Sequence, residues 1–298
     1  MPTTAMMAQT RDLDLVIRHV LAGLGHGIHA GRERGAGVEF SEYRAYAPGD
    51  EWRRVDWKLL ARADRYFIRE AERDSHVAVW LWLDATASMA EPSREINGID
   101  KLWFARTVLA CVAAIAQRQG DAFGLVVCSG DKVDFTPAAR GPRQLQRVLA
   151  QLNKAQPLGG LPASEVLKAH LHFARSPSVM FVASDFLDWP SALSEALQRL
   201  RRMHHDVRLL TVRTQAELDA SFRAGISYRD PERSSGLHRL TSADRASYRE
   251  QSRAHFDSVA QACRQSDIVH YETRIEQPVV DVLRGWLRAA SARRAASR

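Results

Sequence analysis

The chain has 298 residues, 45% of them apolar and 26% charged, with a formal net charge of +7. That is enough for one large core, or a core with a small annex, and the balance is that of a globular chain rather than a disordered or fibrous one. No run reaches about 18 uninterrupted apolar residues, and residues 1–10 lack a basic stretch followed by an apolar one, so neither a membrane span nor a secretion signal is read.

Along the chain, Leu13, Val16, Ile17, Val20, Leu21 and Leu24 recur at helical spacing and leave one apolar face. Glycines from Gly23 to Gly37 then favour turns and close backbone approach. Residues 38–46 read as a strand, Ala47-Pro48-Gly49-Asp50 as a turn, residues 52–63 as a short helix or irregular loop, and residues 66–68 as another strand. Residues 1–75 are therefore expected to form an annex of one helix and short β elements.

From Val77 the pattern changes. Residues 77–83 are a continuous apolar run ending at Asp84, as in a strand covered on both faces. Further strands are expected over residues 121–128, 132–135, 179–183 and 206–212, with helices over 101–117, 143–152, 163–173 and 191–203. Strands alternating with helices predict βαβ units and a doubly wound, mostly parallel α/β sheet with helices on both faces, joined by right-handed crossovers. This core spans residues 76–215. Residues 216–298 read as a C-terminal extension. It opens with a loose segment to 239 and a long polar helix over 241–264 capped by Thr241. A final strand over 267–271 and a helix over 278–290 with an apolar face follow, packing on the core.

The three cysteines, Cys111, Cys128 and Cys263, lie far apart in apolar or helical contexts and suit reduced, buried thiols. His26 and His29, and the adjacent His204 and His205, have no Cys or Glu at metal-ligand spacing and read as solvated or capping residues. The tail carries Arg284, Arg288, Arg293, Arg294 and Arg298 without an acid, which fits a solvated helix end or a salt-sensitive contact with nucleic acid. There is no phosphate-binding Gly-x-x-x-x-Gly-Lys-Ser/Thr and no Gly-x-Ser-x-Gly elbow.

The strongest chemical signal sits at strand ends, where open parallel sheets place their sites. Asp84 is followed at alternate positions by Thr86 and Ser88, and a later strand ends in Ser184-Asp185. A carboxylate with hydroxyl oxygens, converging on a second carboxylate, suits a hard cation such as Mg²⁺. The same carboxylates also suit a purely local role, accepting bonds from the following loop or helix. Asp84, Asp185 and Asp188 around a divalent ion would fit a metal-dependent hydrolase, without an evident general base.

Asp84-Ala85-Thr86-Ala87-Ser88 after an apolar strand resembles the metal-ion-dependent adhesion site of von Willebrand factor A domains. Several further blocks resemble the family called domain of unknown function 58: Glu39-Phe40, Arg44 to Asp50, Arg54-Val55-Asp56-Trp57, Ala61-Arg62, Lys101, Gly120 to Leu125 and Ser184-Asp185-Phe186. The resemblance implies a von Willebrand factor A-like fold and a cytoplasmic bacterial protein without catalytic activity. It implies an adaptor that works with a MoxR-type AAA+ ATPase and client proteins in assembly, maturation or remodelling of complexes. It also implies Asp84, Thr86, Ser88 and Asp185 as metal ligands and Mg²⁺ as the cofactor. The usual distant threonine ligand is missing, because the chain reads Gly159-Gly160-Leu161-Pro162-Ala163-Ser164. Arg44, Asp50, Arg54, Asp56, Trp57 and Arg62 form a second candidate cluster. It is either an Arg–carboxylate lock on the annex or a recognition surface anchored by Trp57 and Arg62.

Overall fold

The computed structural model describes residues 13–28, 42–45, 67–70, 78–169, 177–222, 225–232, 237–241 and 244–296. The chain divides into two compact units, one of residues 1–25 and 77–298 and the other of His26–His76. In the smaller unit, β1 (Glu42–Ala45) pairs antiparallel with β2 (Phe67–Glu70), with Arg44 opposite Ile68.

The larger unit includes α1 (Leu13–Ile28) up to Gly25. Leu13, Val16, Ile17, Val20, Leu21 and Leu24 are buried in the main core cluster, as their spacing requires. The first helix thus groups with the large unit, so the segment expected as an annex over residues 1–75 is divided at residue 25.

Then come β3 (Ala78–Asp84), a 3-10 turn (Ala87–Ala90), α2 (Lys101–Gln119), β4 (Phe123–Ser129), β5 (Lys132–Ala139), α3 (Pro142–Lys154) and α4 (Ser164–Ala169). β6 (Ser178–Ser184), α5 (Ala192–Arg202), β7 (Asp206–Arg213), α6 (Gln215–Asp219), the β8 (Ser227–Arg229) and β9 (Leu237–Arg239) hairpin, α7 (Asp244–Gln265), β10 (Val269–Arg274) and α8 (Val279–Ala296) complete it. The six-stranded sheet runs β10-β7-β6-β3-β4-β5, with only the β4–β5 pair antiparallel. This is the doubly wound α/β sheet expected of a von Willebrand factor A-like chain.

The period of two along β3 explains its two-sided burial. Val79, Leu81 and Leu83 enter one core with α1, α2, α3 and α8, whereas Trp80 and Trp82 enter the other with α5 and α7. Two-sided burial also explains why such strands read as unbroken apolar runs. The C-terminal segment is part of this architecture. β10 pairs in parallel register with β7, and Val279, Val282, Leu283 and Trp286 of α8 join the main core.

Sequence order reverses at β3. The chain steps from β3 out to β4 and β5, then returns to β6 on the other side of β3 and continues outward to β7 and β10. The crevice of an open α/β sheet lies at such a switch point, outside the carboxyl ends of the two strands. Here those ends are Asp84 and Ser184-Asp185.

Candidate functional site at the carboxyl edge of the sheet

Asp84 closes β3 and is 2% exposed. Its Oδ1 accepts the Thr86 amide at 2.9 Å, and its Oδ2 accepts the Ser184 hydroxyl at 2.6 Å. Thr86 and Ser88, also buried, share a hydroxyl–hydroxyl bond of 3.1 Å. The loop carrying them is strapped to the segment before α4. Leu158 N donates to Ala85 O at 3.0 Å, and Ala87 N donates to Gly159 O at 2.8 Å. Gly159 has φ +59°, and a Cβ there would lie 2.9 Å from Gly130 Cα, so the strap depends on glycine.

After β6 the chain turns sharply. Phe186 takes φ 50°, a costly conformation for a non-glycine residue, and its amide donates to Ser184 Oγ at 2.9 Å. His255 from α7 bonds the Phe186 carbonyl at 2.8 Å. This turn holds Asp185 beside Asp84, with Asp185 Oδ1 accepting the Leu187 amide at 3.4 Å. Burial, together with the neighbouring Asp185, pushes the Asp84 carboxyl up to about 7 against the pull of its bonds from Ser184 and Thr86.

Lys101 completes the edge. It is 1% exposed and stands first in α2, directly after the N-cap Asp100, whose side chain accepts the Trp103 amide at 2.6 Å. Its Nζ meets Asp185 Oδ2 at 2.9 Å and Glu217 Oε1 at 2.6 Å. Glu217 is itself fixed by a capping box in α6. The Thr214 amide donates to Glu217 Oε2 at 2.8 Å, and Glu217 N donates to Thr214 Oγ1 at 3.1 Å. Burial works against the charge of Lys101, but Asp185 and Glu217 outweigh it and hold the lysine above its ordinary pKa.

Two spaces adjoin this network. A cavity of about 10 Å³ touches Asp84, Thr86, Ser184, Asp185, Asp188 and Leu161. A pocket of about 440 Å³ opens beside it, lined by Ser88, Lys101, Leu187 and the carboxylates Glu91, Asp188, Glu217, Asp230 and Glu232. Burial, with Glu217 nearby, raises the Glu91 pKa against the pull of Lys101 and Arg94.

Of the four residues expected as metal ligands, Asp84, Thr86 and Asp185 line one cavity and Ser88 bonds Thr86, and the set does not fit a hydrated Mg²⁺. Each Asp84 oxygen accepts one bond, and the Lys101 ammonium lies 2.9 Å from Asp185 Oδ2, a fixed positive charge that repels a second cation there. Leu161 lines the small cavity at the segment expected to supply the missing hydroxyl, and that cavity has the room of about one water. Mg²⁺ keeps several waters and an octahedral shell. Asp84 and Asp185 instead fill the local role and a network role together.

Of the second candidate cluster, Arg44 falls in β1, while Asp50, Arg54, Asp56, Trp57 and Arg62 lie outside the described residues, as does the helix or loop expected over 52–63. One expectation is corrected. His205 is not solvated: it is buried, and its Nδ1 lies 2.8 Å from Ser178 Oγ and 3.2 Å from Ser178 N, at the start of β6. The three cysteines are buried thiols, none of them in a disulfide. Sequence reasoning did not assign roles to Glu217 or Ser184. Thr214-x-x-Glu217 carries a readable capping-box signature, whereas nothing local pairs Glu217 with Lys101, far back in the chain.

Fold and strand-end network together define a doubly wound α/β protein whose polar site lies at the sheet's carboxyl edge. The chain belongs to the family described as protein of unknown function DUF58, whose model matches residues 42–260. It is 27% identical over 248 residues to the uncharacterized protein Rv1480 of Mycobacterium tuberculosis, covering 81% of this chain and 75% of that one. Among solved structures it is similar to the conserved hypothetical protein BatB from Bacteroides thetaiotaomicron, at 13% identity and a TM-score of 0.45, covering 71% of this chain and 99% of that one. It is also similar to the SpRpn10 VWA domain, at 10% identity and a TM-score of 0.41, covering 70% and 93%. Among the described residues, no helix is long and apolar enough to cross a membrane.

Proposed function

We propose that this protein is a non-catalytic, protein-binding adaptor of the cytoplasm. It works with a MoxR-type AAA+ ATPase in assembly, maturation or remodelling of client complexes, and it docks through the carboxyl edge of its sheet. The observation that supports this best is the state of the polar groups there. Carboxylates, hydroxyls and Lys101 bond to one another, as Ser184 does to Asp84, Thr86 to Ser88 and Lys101 to Asp185 and Glu217. Groups so engaged make a rigid surface more readily than an activated nucleophile, which needs a base within hydrogen-bond reach. The adjoining acidic pocket, with Leu187 exposed at its rim, offers a partner both charge and apolar contact.

Capture of the ATPase from the native host by tagged protein tests this reading. Asp188→Lys combined with Glu232→Lys reverses charge at the pocket and leaves the buried network alone. The wild type is expected to retain the ATPase and the double variant to lose it; equal capture by both refutes docking at this edge. A phosphatase and nuclease panel with Mg²⁺ and Mn²⁺ tests the non-catalytic part, and turnover abolished by Asp84→Ala would replace the adaptor with a metal-dependent hydrolase using Asp84 and Asp185.

A further inference from the structure

We infer that Lys101 is the resident cation of the sheet edge, its ammonium holding the charge balance for which an adhesion site of the von Willebrand type uses a divalent ion. The position of Lys101 is unfavourable on two counts unless its charge is paired. It is 1% exposed, and removal of an ammonium from water is costly unless paired. It is also the first residue of α2, at the positive end of the helix dipole, where a cation is disfavoured. Both penalties are offset by carboxylates at 2.9 Å and 2.6 Å, from Asp185 and Glu217.

The counter-charges come prearranged. Glu217 is clamped by the Thr214 capping box through its other oxygen, and Asp185 by the turn at Phe186. The ammonium therefore fills a built receptacle that joins the end of β6, the start of α2 and α6. The ligand set around it departs from a divalent site in the matching direction. Asp185 spends an oxygen on Lys101, and Leu161 lines the cavity at the segment expected to bring a hydroxyl. A fixed side-chain cation makes the edge independent of cellular Mg²⁺, so docking there is set by shape and by the carboxylates of the open pocket rather than by ion bridging.

The test uses the full chain, stripped with EDTA and titrated with MgCl₂ and MnCl₂ by calorimetry and by thermal melts. The wild type is expected to show no saturable binding and the same Tm in EDTA and in either salt. A site filled a hundredfold above its Kd would raise Tm by roughly 5 °C or more. Lys101→Met is expected to lower Tm by roughly 5–10 °C, with Lys101→Arg, which keeps the charge, losing less. Failure of Lys101→Met to fold while Lys101→Arg folds supports the same conclusion. Saturable Mg²⁺ or Mn²⁺ binding by the wild type that Asp84→Asn abolishes overturns it, as does a Lys101→Met chain as stable as wild type. These readouts concern the chain alone, so their failure leaves the adaptor reading standing.

Discussion

Replacing Asp84 with Asn should change how stability depends on pH more than it changes stability itself. The carboxyl is 2% exposed and its pKa is pushed from 3.8 to about 7, by burial first and by Asp185 second. A carboxyl raised in the folded state gives its full contribution below its unfolded pKa and loses it as pH climbs through the folded one. At about 1.4 kcal/mol per pKa unit, the whole interval is worth roughly 4 kcal/mol, and the part between pH 5 and pH 8 roughly 2–3 kcal/mol. Asparagine does not titrate. Its amide oxygen can keep the Thr86 amide bond, and its NH₂ can face Ser184 Oγ, a hydroxyl able to switch from donor to acceptor. Urea unfolding of both proteins at pH 5, 6, 7 and 8 measures the difference, in which titrations that do not interact with Asp84 cancel. The variant is expected to start at or below the wild type at pH 5 and gain roughly 2–3 kcal/mol on it by pH 8. A constant offset across the series, or a wild type that gains on the variant as pH rises, would refute the argument that burial and Asp185 keep Asp84 largely protonated below neutrality.

Close contacts around the sheet lead to three more expectations. At Gly124 an added Cβ would fall against the Trp80 ring and 2.9 Å from the Thr136 carbonyl oxygen, so Gly124→Ala should cost about 1–3 kcal/mol in urea unfolding at an unchanged m-value. Gly159→Ala meets both a φ of +59° and Gly130 Cα at 2.9 Å; it should cost about 1–3 kcal/mol and speed amide exchange at Leu158 and Ala87, whose amides form the strap. Arg213, 6% exposed, lies 3.8 Å above the Phe256 ring and bonds Glu272 at 2.8 Å and Ser252 at 2.9 Å. Arg213→Lys should therefore lower Tm by roughly 2–6 °C despite keeping the charge, because an ammonium cannot reproduce the planar fork.

Most of the fold was legible because the sheet is buried on both faces. Unbroken apolar runs such as Val79 to Leu83 announce central parallel strands, and Gly120 marks the stop of α2 by taking φ +77°. Two-sided burial also makes the run before Asp84 locate the switch point, so Asp84 and Asp185 were found from local pattern alone. What did not show was membership across long separations. The strand expected over residues 267–271 gave no sign of which edge it would join, because parallel pairing leaves no turn signal; it closes the sheet beside β7. His205 looked like a helix-end cation, yet its backbone turns it inward onto Ser178, a partner 27 positions earlier.

Lys101 shows the same limit at the site itself. Read along α2 it is a lone charge at the head of an apolar helix, and helix logic places it in solvent. Its burial follows only from Asp185, 84 positions away, and from Glu217 on α6. A motif reading that stops at Asp84, Thr86 and Ser88 supplies the acids and hydroxyls and leaves their charge to be balanced by an ion from outside. Once the long-range pairing is included, the balancing charge comes from the chain. The strand-end motif then specifies where the edge lies, and the lysine specifies what kind of edge it is.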